Sequence, residues 1–126
     1  MGMWGIILLV VCIMSAVMII FGLLFSIQAP KKINYIFGYR TPMSMKNTDT
    51  WNFGNKCSGN CMWRTGIILL VGSLIALFIV MNGSAATIRN VGIIIIAAHA
   101  VMIFGSIIYT EKALRKNFDH EGNRKT

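Results

Sequence analysis

Three long apolar runs set the pattern of this chain. Met3 to Ile27 carries no charged side chain, and it exceeds the ~20 apolar residues that cross ~30 Å of hydrocarbon at 1.5 Å per residue. A second run, 62–81, is broken only by Arg64, and a third, 88–109, only by Arg89. Both arginines stand near the start of their runs, where a long basic side chain snorkels to the interface. The link between the second and third runs, Asn82 to Thr87, is short and made of turn formers, so these two helices form an antiparallel hairpin. The predicted architecture is a single all-α membrane domain over 1–126 with three transmembrane helices. A first loop spans 28–61 and a tail 110–126.

The first run reads as a retained span and not as a signal peptide. No Lys or Arg precedes it, and it is longer than a signal core of about 7–15 residues. Pro30 follows Ala29, the one small residue placed for cleavage. Ile6 stands where a myristoylation signal needs Ser or Thr.

Composition agrees with the pattern. Hydrophobic residues make up 56% and charged residues 13%, against about 25% charged in soluble domains. The net charge of +8 would suggest nucleic acid, but its placement explains it otherwise. All of the 12 Lys and Arg residues except Arg89 lie in the first loop, the tail or at Arg64. Three spans bring the loop and tail to one side, and the positive-inside rule makes that side cytoplasmic, with the N-terminus outside. The charge then serves topology and anionic lipid, and direct nucleic-acid binding is not expected.

The first loop is too long for a plain helix connection of about 2–8 residues, and its aromatics separate it from a solvated linker. It holds Tyr35, Phe37, Tyr39, Trp51 and Phe53. Gly38 permits a bend, and Pro42 biases Thr41 away from helix. Asn47 is a good N-cap, and Asp49 would meet the positive end of a short amphipathic helix from Thr48 to about Ser58, ended by Gly59. Trp51 and Asn55 share one of its faces, Phe53 and Cys57 another. The segment Asn34…Gly38-Tyr39-Arg40-Thr41-Pro42-x-Ser44-Met45-Lys46-Asn47-x-x-Thr50-Trp51…Asn55…Gly59 resembles the pattern of the SdpI family, small bacterial membrane proteins named for an immunity protein against a sporulation-delaying toxin. Gly54 departs from it where Ala is usual. The resemblance implies a bacterial cell-membrane protein that protects against a membrane-active peptide. It also implies an alternative, a sensor that captures a cytoplasmic transcription repressor through this loop.

The binding candidates are therefore the motif residues Asn34, Gly38, Tyr39, Arg40, Thr41, Pro42, Lys46, Asn47, Trp51 and Asn55. Arg40 reads either as a fixed guanidinium for phosphate, carboxylate or a helix end, or as a topology charge or a buried link to the bundle through backbone carbonyls. Trp51 and Tyr39 read as interfacial anchors or as a ligand surface. Asp49 is expected at the helix N-terminus, paired with Arg40 or Lys46. His99 is the one imidazole at mid-span, expected to bond across the bundle to Ser15 or Ser73. Cys12, Cys57 and Cys61 read as incidental thiols, since no zinc ligand set accompanies them. Gly22-xxx-Ser26 and Gly72-xxx-Ala76 mark candidate packing seams. Glu111 and Arg115 are spaced for an i,i+4 pair on a continuation of the third helix to Asn117.

No Ser-His-Asp set, Gly-rich phosphate loop or HExxH occurs, and no acid lies within the spans. An enzyme, a resident metal and a cofactor are all unexpected. A lipid-handling enzyme or carrier using Arg40 and His99 is the remaining alternative. A homo-oligomer is a candidate assembly, because no internal repeat supports a transporter from one chain.

Overall fold

The computed structural model describes residues 2–125. It contains three helices: α1, Met3–Ile27; α2, Thr48–Val80; and α3, Ala85–Asn117. Each is long and apolar enough to cross a membrane. At 1.5 Å per residue the 33 residues of α2 reach ~50 Å, well beyond a ~30 Å hydrocarbon core. The apolar run 62–81 accounts for the crossing, so the first four turns of α2 project from the membrane. The end of α3 past Tyr109 projects beside them. These two projections, the loop 28–47 and the residues after α3 form what we call the basic end.

The sequence reading of a separate short helix is corrected here. Thr48 does start a helix, and Asn47 caps it: its Oδ1 accepts from the Thr50 N–H at 2.9 Å while Thr50 Oγ1 accepts from the Asn47 N–H at 3.1 Å. The helix does not stop at Gly59 but runs on to Val80. Gly59 has no positive φ. Its missing side chain serves packing instead: a Cβ there would lie 2.6 Å from the Gly22 carbonyl oxygen and 2.6 Å from the Ser26 nitrogen. The Gly22-xxx-Ser26 stretch thus is a seam, and it seats α1 on α2 through backbone contact. Gly72 is not one, since a Cβ there would meet nothing within 4 Å.

Two apolar clusters lie at opposite ends of the bundle. Val11, Leu77 and Ile95 join one residue from each helix near the α2–α3 turn. There Ser84 caps α3 by accepting from the Thr87 N–H at 3.2 Å. At the basic end, Tyr39 and Met43 of the loop pack with Leu114 and Phe118, and Phe53 closes edge-on against Phe118. As expected, α3 continues to Asn117. Beyond it the chain turns back, with Phe118 bridging Arg124 across a tight turn. In that turn Asp119 Oδ1 accepts from the Glu121 and Asn123 N–H groups, both at 2.9 Å. These amide donors, Asn123 first, hold the Asp119 carboxyl below its ordinary range.

Candidate functional site

The motif residues build a cap at the basic end that buries Tyr39, Ser44, Thr50, Trp51 and Asn55 and leaves Arg40, Pro42 and Lys46 exposed. Asn34 closes an Asx turn, its Oδ1 accepting from the N–H groups of Ile36 (2.9 Å) and Phe37 (3.0 Å). Arg40 Nη1 donates to the Tyr35 carbonyl, tying the two ends of this turn together. The bond stays within the loop and Arg40 is exposed, so the buried link to the bundle is not formed. Gly38 takes φ +109°, and a Cβ there would strike Asn55 Oδ1 at 2.9 Å and the Trp51 ring at 3.1 Å. That clearance lets Asn55 Oδ1 accept the Tyr39 N–H at 2.7 Å.

Trp51 and Asn55 share a face, as their spacing requires, and both are fully buried. Trp51 Nε1 donates to the Pro30 carbonyl at 2.8 Å, and Asn55 Nδ2 to the Trp51 carbonyl at 2.9 Å. The interfacial-anchor reading of Trp51 and Tyr39 therefore gives way to a structural one. The Tyr39 hydroxyl donates to Glu111 Oε1 at 2.7 Å, with the Ile107 carbonyl at 3.2 Å. Burial, and then the bond to Glu111, push the Tyr39 phenol well above its ordinary pKa. The expected Glu111–Arg115 pair does not form, because Glu111 turns to the loop.

Thr41 and Ser44 lock the bend before α2. Ser44 Oγ accepts from the Thr41 N–H at 2.9 Å and donates to the Tyr39 carbonyl at 2.9 Å. Pro42 lies exposed beside them. The C-terminal turn docks on the same bend. Lys46 Nζ donates to the His120 carbonyl, and Asn47 Nδ2 to the Gly122 carbonyl at 2.7 Å. Asp49 pairs with Arg124, not with Arg40 or Lys46: Nε and Nη2 each lie 2.8 Å from its carboxylate. This is the only ion pair among the described residues. The Arg124 guanidinium also lies 4.9 Å from the centre of the Phe118 ring.

Three consecutive apolar side chains of the cap face outward. Tyr35, Ile36 and Phe37 are 86%, 82% and 53% exposed, despite the ordered turn that carries them. Phe37 stacks on Phe25, in the last turns of α1, with ring centres 6.2 Å apart. The exposed side chains therefore sit at the level where α1 leaves the apolar layer.

On the other side of the cap a groove of about 750 Å³ opens between α2 and the end of α3. Asn52, Lys56, Asn60 and Arg64 of α2 line it opposite Tyr109. The residue pattern gave no sign of this face as a site, nor of Tyr39 as the partner of Glu111. The face was visible as polar residues recurring every three or four positions from Asp49 to Arg64.

His99 lies apart, fully buried in the bundle. Its Nδ1 is 2.9 Å from the Ile95 carbonyl and its Nε2 is 2.9 Å from Ser15 Oγ. A carbonyl only accepts, so Nδ1 carries a proton and donates to Ile95, while Nε2 and the Ser15 hydroxyl share the second hydrogen bond. Of the two expected partners, Ser15 is the one used. Such bonds average ~0.6 kcal/mol in membranes, while an orphaned buried partner costs ~1–3 kcal/mol. Ser15→Ala and His99→Leu should each lower the thermal midpoint in detergent, and the double variant should be less destabilised than the sum of the two. Additive effects would show that the two side chains are not coupled.

The model of the SdpI/YfhL protein family matches residues 31–110, which take in the motif loop, α2 and most of α3. "Uncharacterized protein YfhL" of Bacillus subtilis (strain 168) is 39% identical over 64 residues, covering 47% of this chain and 58% of that protein. The match thus spans a little over half of that relative's length. No solved structure matches the chain. With the family's model laid over the cap and over the two helices that carry it, this chain belongs to the SdpI/YfhL family of membrane proteins.

Proposed function

We propose that the protein protects a bacterial cell from a membrane-active peptide by binding that peptide at the inner interface of the membrane. The observation that carries this reading is the exposed triplet Tyr35-Ile36-Phe37 on an ordered turn. Exposed apolar side chains on a fixed backbone suit a partner that is itself amphipathic and lies in the interface. Asn34, Gly38 and Arg40 then act as positioning residues that hold the turn, and Trp51 and Asn55 as its foundation. The reading places the basic end in the cytoplasm, supported by the concentration of Lys and Arg there. It is a binding role, with no reaction assigned to the site.

The test is survival of a sensitive bacterium that expresses this chain and is challenged with the sporulation-delaying peptide toxin. The wild-type chain should raise survival. Ile36→Ser/Phe37→Ser should lose at least about tenfold of that protection at unchanged membrane abundance, the size expected from removing two apolar contacts of ~1–2 kcal/mol each. Protection that persists in this variant would remove the triplet from the site. Protection absent from the wild type would remove the toxin. Labelling of a Cys introduced at position 84, but not at 32, by an impermeant reagent in intact cells checks the orientation.

A further inference from the structure

The groove between α2 and α3 is a different surface from the exposed triplet. Its lining positions on α2 recur every three or four residues from Asp49 to Arg64, so they form one helical stripe about four turns and ~24 Å long. Its polar members stand beside Phe53, Cys57 and Cys61, and its far end, at Arg64 and Thr65, enters the apolar run. Tyr109, where the apolar run of α3 ends, faces it. The groove therefore straddles the boundary between headgroups and hydrocarbon. Neither α1 nor α3 covers it: α1 packs on the Gly59 side of α2, and α3 contributes Tyr109 alone.

The charges in the groove are uneven. Asp49 and Arg124 neutralise each other in their bidentate pair. Lys56 and Arg64 remain, and among the described residues neither has an ion-pair partner. Arg64 is steadied over the Trp63 ring, 5.5 Å from its centre. Asn60 adds a neutral donor between the two cations and Asn52 another on the far side of Lys56, while Phe53 supplies an apolar wall. Below Arg64, Ile67, Ile68 and Val71 of α2 expose an apolar surface. An occupant complementary to this arrangement has an anionic head of one phosphate or more at Lys56 and Arg64 and an acyl chain along the isoleucines.

We infer that the groove is a binding site for an anionic phospholipid of the leaflet at the basic end. The lipid would fill the open space between α2 and Tyr109. The inference is independent of the toxin reading, because it uses none of residues 33–40.

Purified protein in detergent, with equal amounts of phosphatidylglycerol and phosphatidylcholine added, provides the test by native mass spectrometry. Phosphatidylglycerol should be retained in preference to phosphatidylcholine. Lys56→Gln/Arg64→Gln should weaken that retention at least about tenfold, since each cation near a lipid surface contributes ~1 kcal/mol, or roughly fivefold. Lys112→Gln/Lys116→Gln removes equal charge outside the groove and should change retention less than about twofold. Asn52→Trp keeps both cations but fills the groove, and it should also lower retention. Equal retention of the two lipids, or equal loss in both charge-removing variants, would overturn the site in favour of bulk charge. Binding of soluble glycerol 3-phosphate as tight as that of the lipid would overturn the acyl-chain part and with it the lipid.

Discussion

Trp51→Ala is expected to cost the protein its fold rather than to leave a stable chain lacking one contact. Trp51 is fully buried, and no other fully buried side chain is larger. Truncating a core Trp costs ~3–5 kcal/mol, a large part of the 5–15 kcal/mol typical of a domain. The loss is concentrated at one joint. The indole lies against Gly38, its Nε1 satisfies the Pro30 carbonyl, and its own backbone carbonyl holds Asn55. Asn55 in turn holds the Tyr39 amide. Removing the ring thus loosens the loop at Pro30, at Gly38 and at Tyr39 together. Thermal unfolding in detergent should show a fall of several degrees or more, and membrane abundance should drop with it. Trp51→Phe keeps much of the packing and orphans only the Pro30 carbonyl, so its cost should be nearer ~1–3 kcal/mol. Arg40→Ala, at an exposed position with one bond to a carbonyl, should be milder still. Normal abundance of Trp51→Ala together with lost protection would instead make Trp51 a ligand contact.

That ordering could not be read from the residues alone, and the reason is physical. Hydropathy marks the three spans because hydrocarbon demands long uninterrupted apolar runs, and the structure has a helix through each. The Asn47 cap was legible because capping is local, a matter of residues three apart. Ser15 was legible as one of two candidate partners for His99 because the spans hold few polar side chains. Gly59 was not legible, because a glycine that ends a helix and a glycine that seats one helix on another are the same letter. Only the position of α1 tells them apart. The tail was equally silent. Asp49 and Arg124 are 75 residues apart, and nothing in either neighbourhood signals the other. Arg40 and Trp51 stood out as chemistry, whereas the acceptors of their side chains are the backbone carbonyls of Tyr35 and Pro30, which no side-chain pattern announces.

The same ambiguity of glycine yields the second large effect, a pair of identical substitutions on α2 with opposite signs. Alanine is a better helix former than glycine by ~1 kcal/mol, so an exposed Gly→Ala change in this helix should stabilise. Gly72 meets that condition, since a Cβ there touches nothing within 4 Å. Gly59 does not. Its Cβ would stand 2.6 Å from the Gly22 oxygen, 2.6 Å from the Ser26 nitrogen and 2.9 Å from the Phe25 carbonyl carbon. All three are backbone atoms, so no rotamer change relieves the clash, and α1 must move away from α2. The shift would also lift Met18 and Ile19 from Gly66, where a Cβ would already crowd Ile19 at 2.9 Å. Overpacking typically costs 1–3 kcal/mol and occasionally more. Here it is set against the ~1 kcal/mol propensity gain, and the loss of neighbouring close contact adds to it. Gly59→Ala should therefore lower the thermal midpoint in detergent, while Gly72→Ala should leave it unchanged or raise it. Gly22→Ala, whose Cβ would meet the Trp63 nitrogen at 2.5 Å, should behave like Gly59→Ala. If Gly59→Ala and Gly72→Ala shift the midpoint alike, α1 is not seated on α2 through Gly59, and the continuous helix would need a different partner to hold the cap in place.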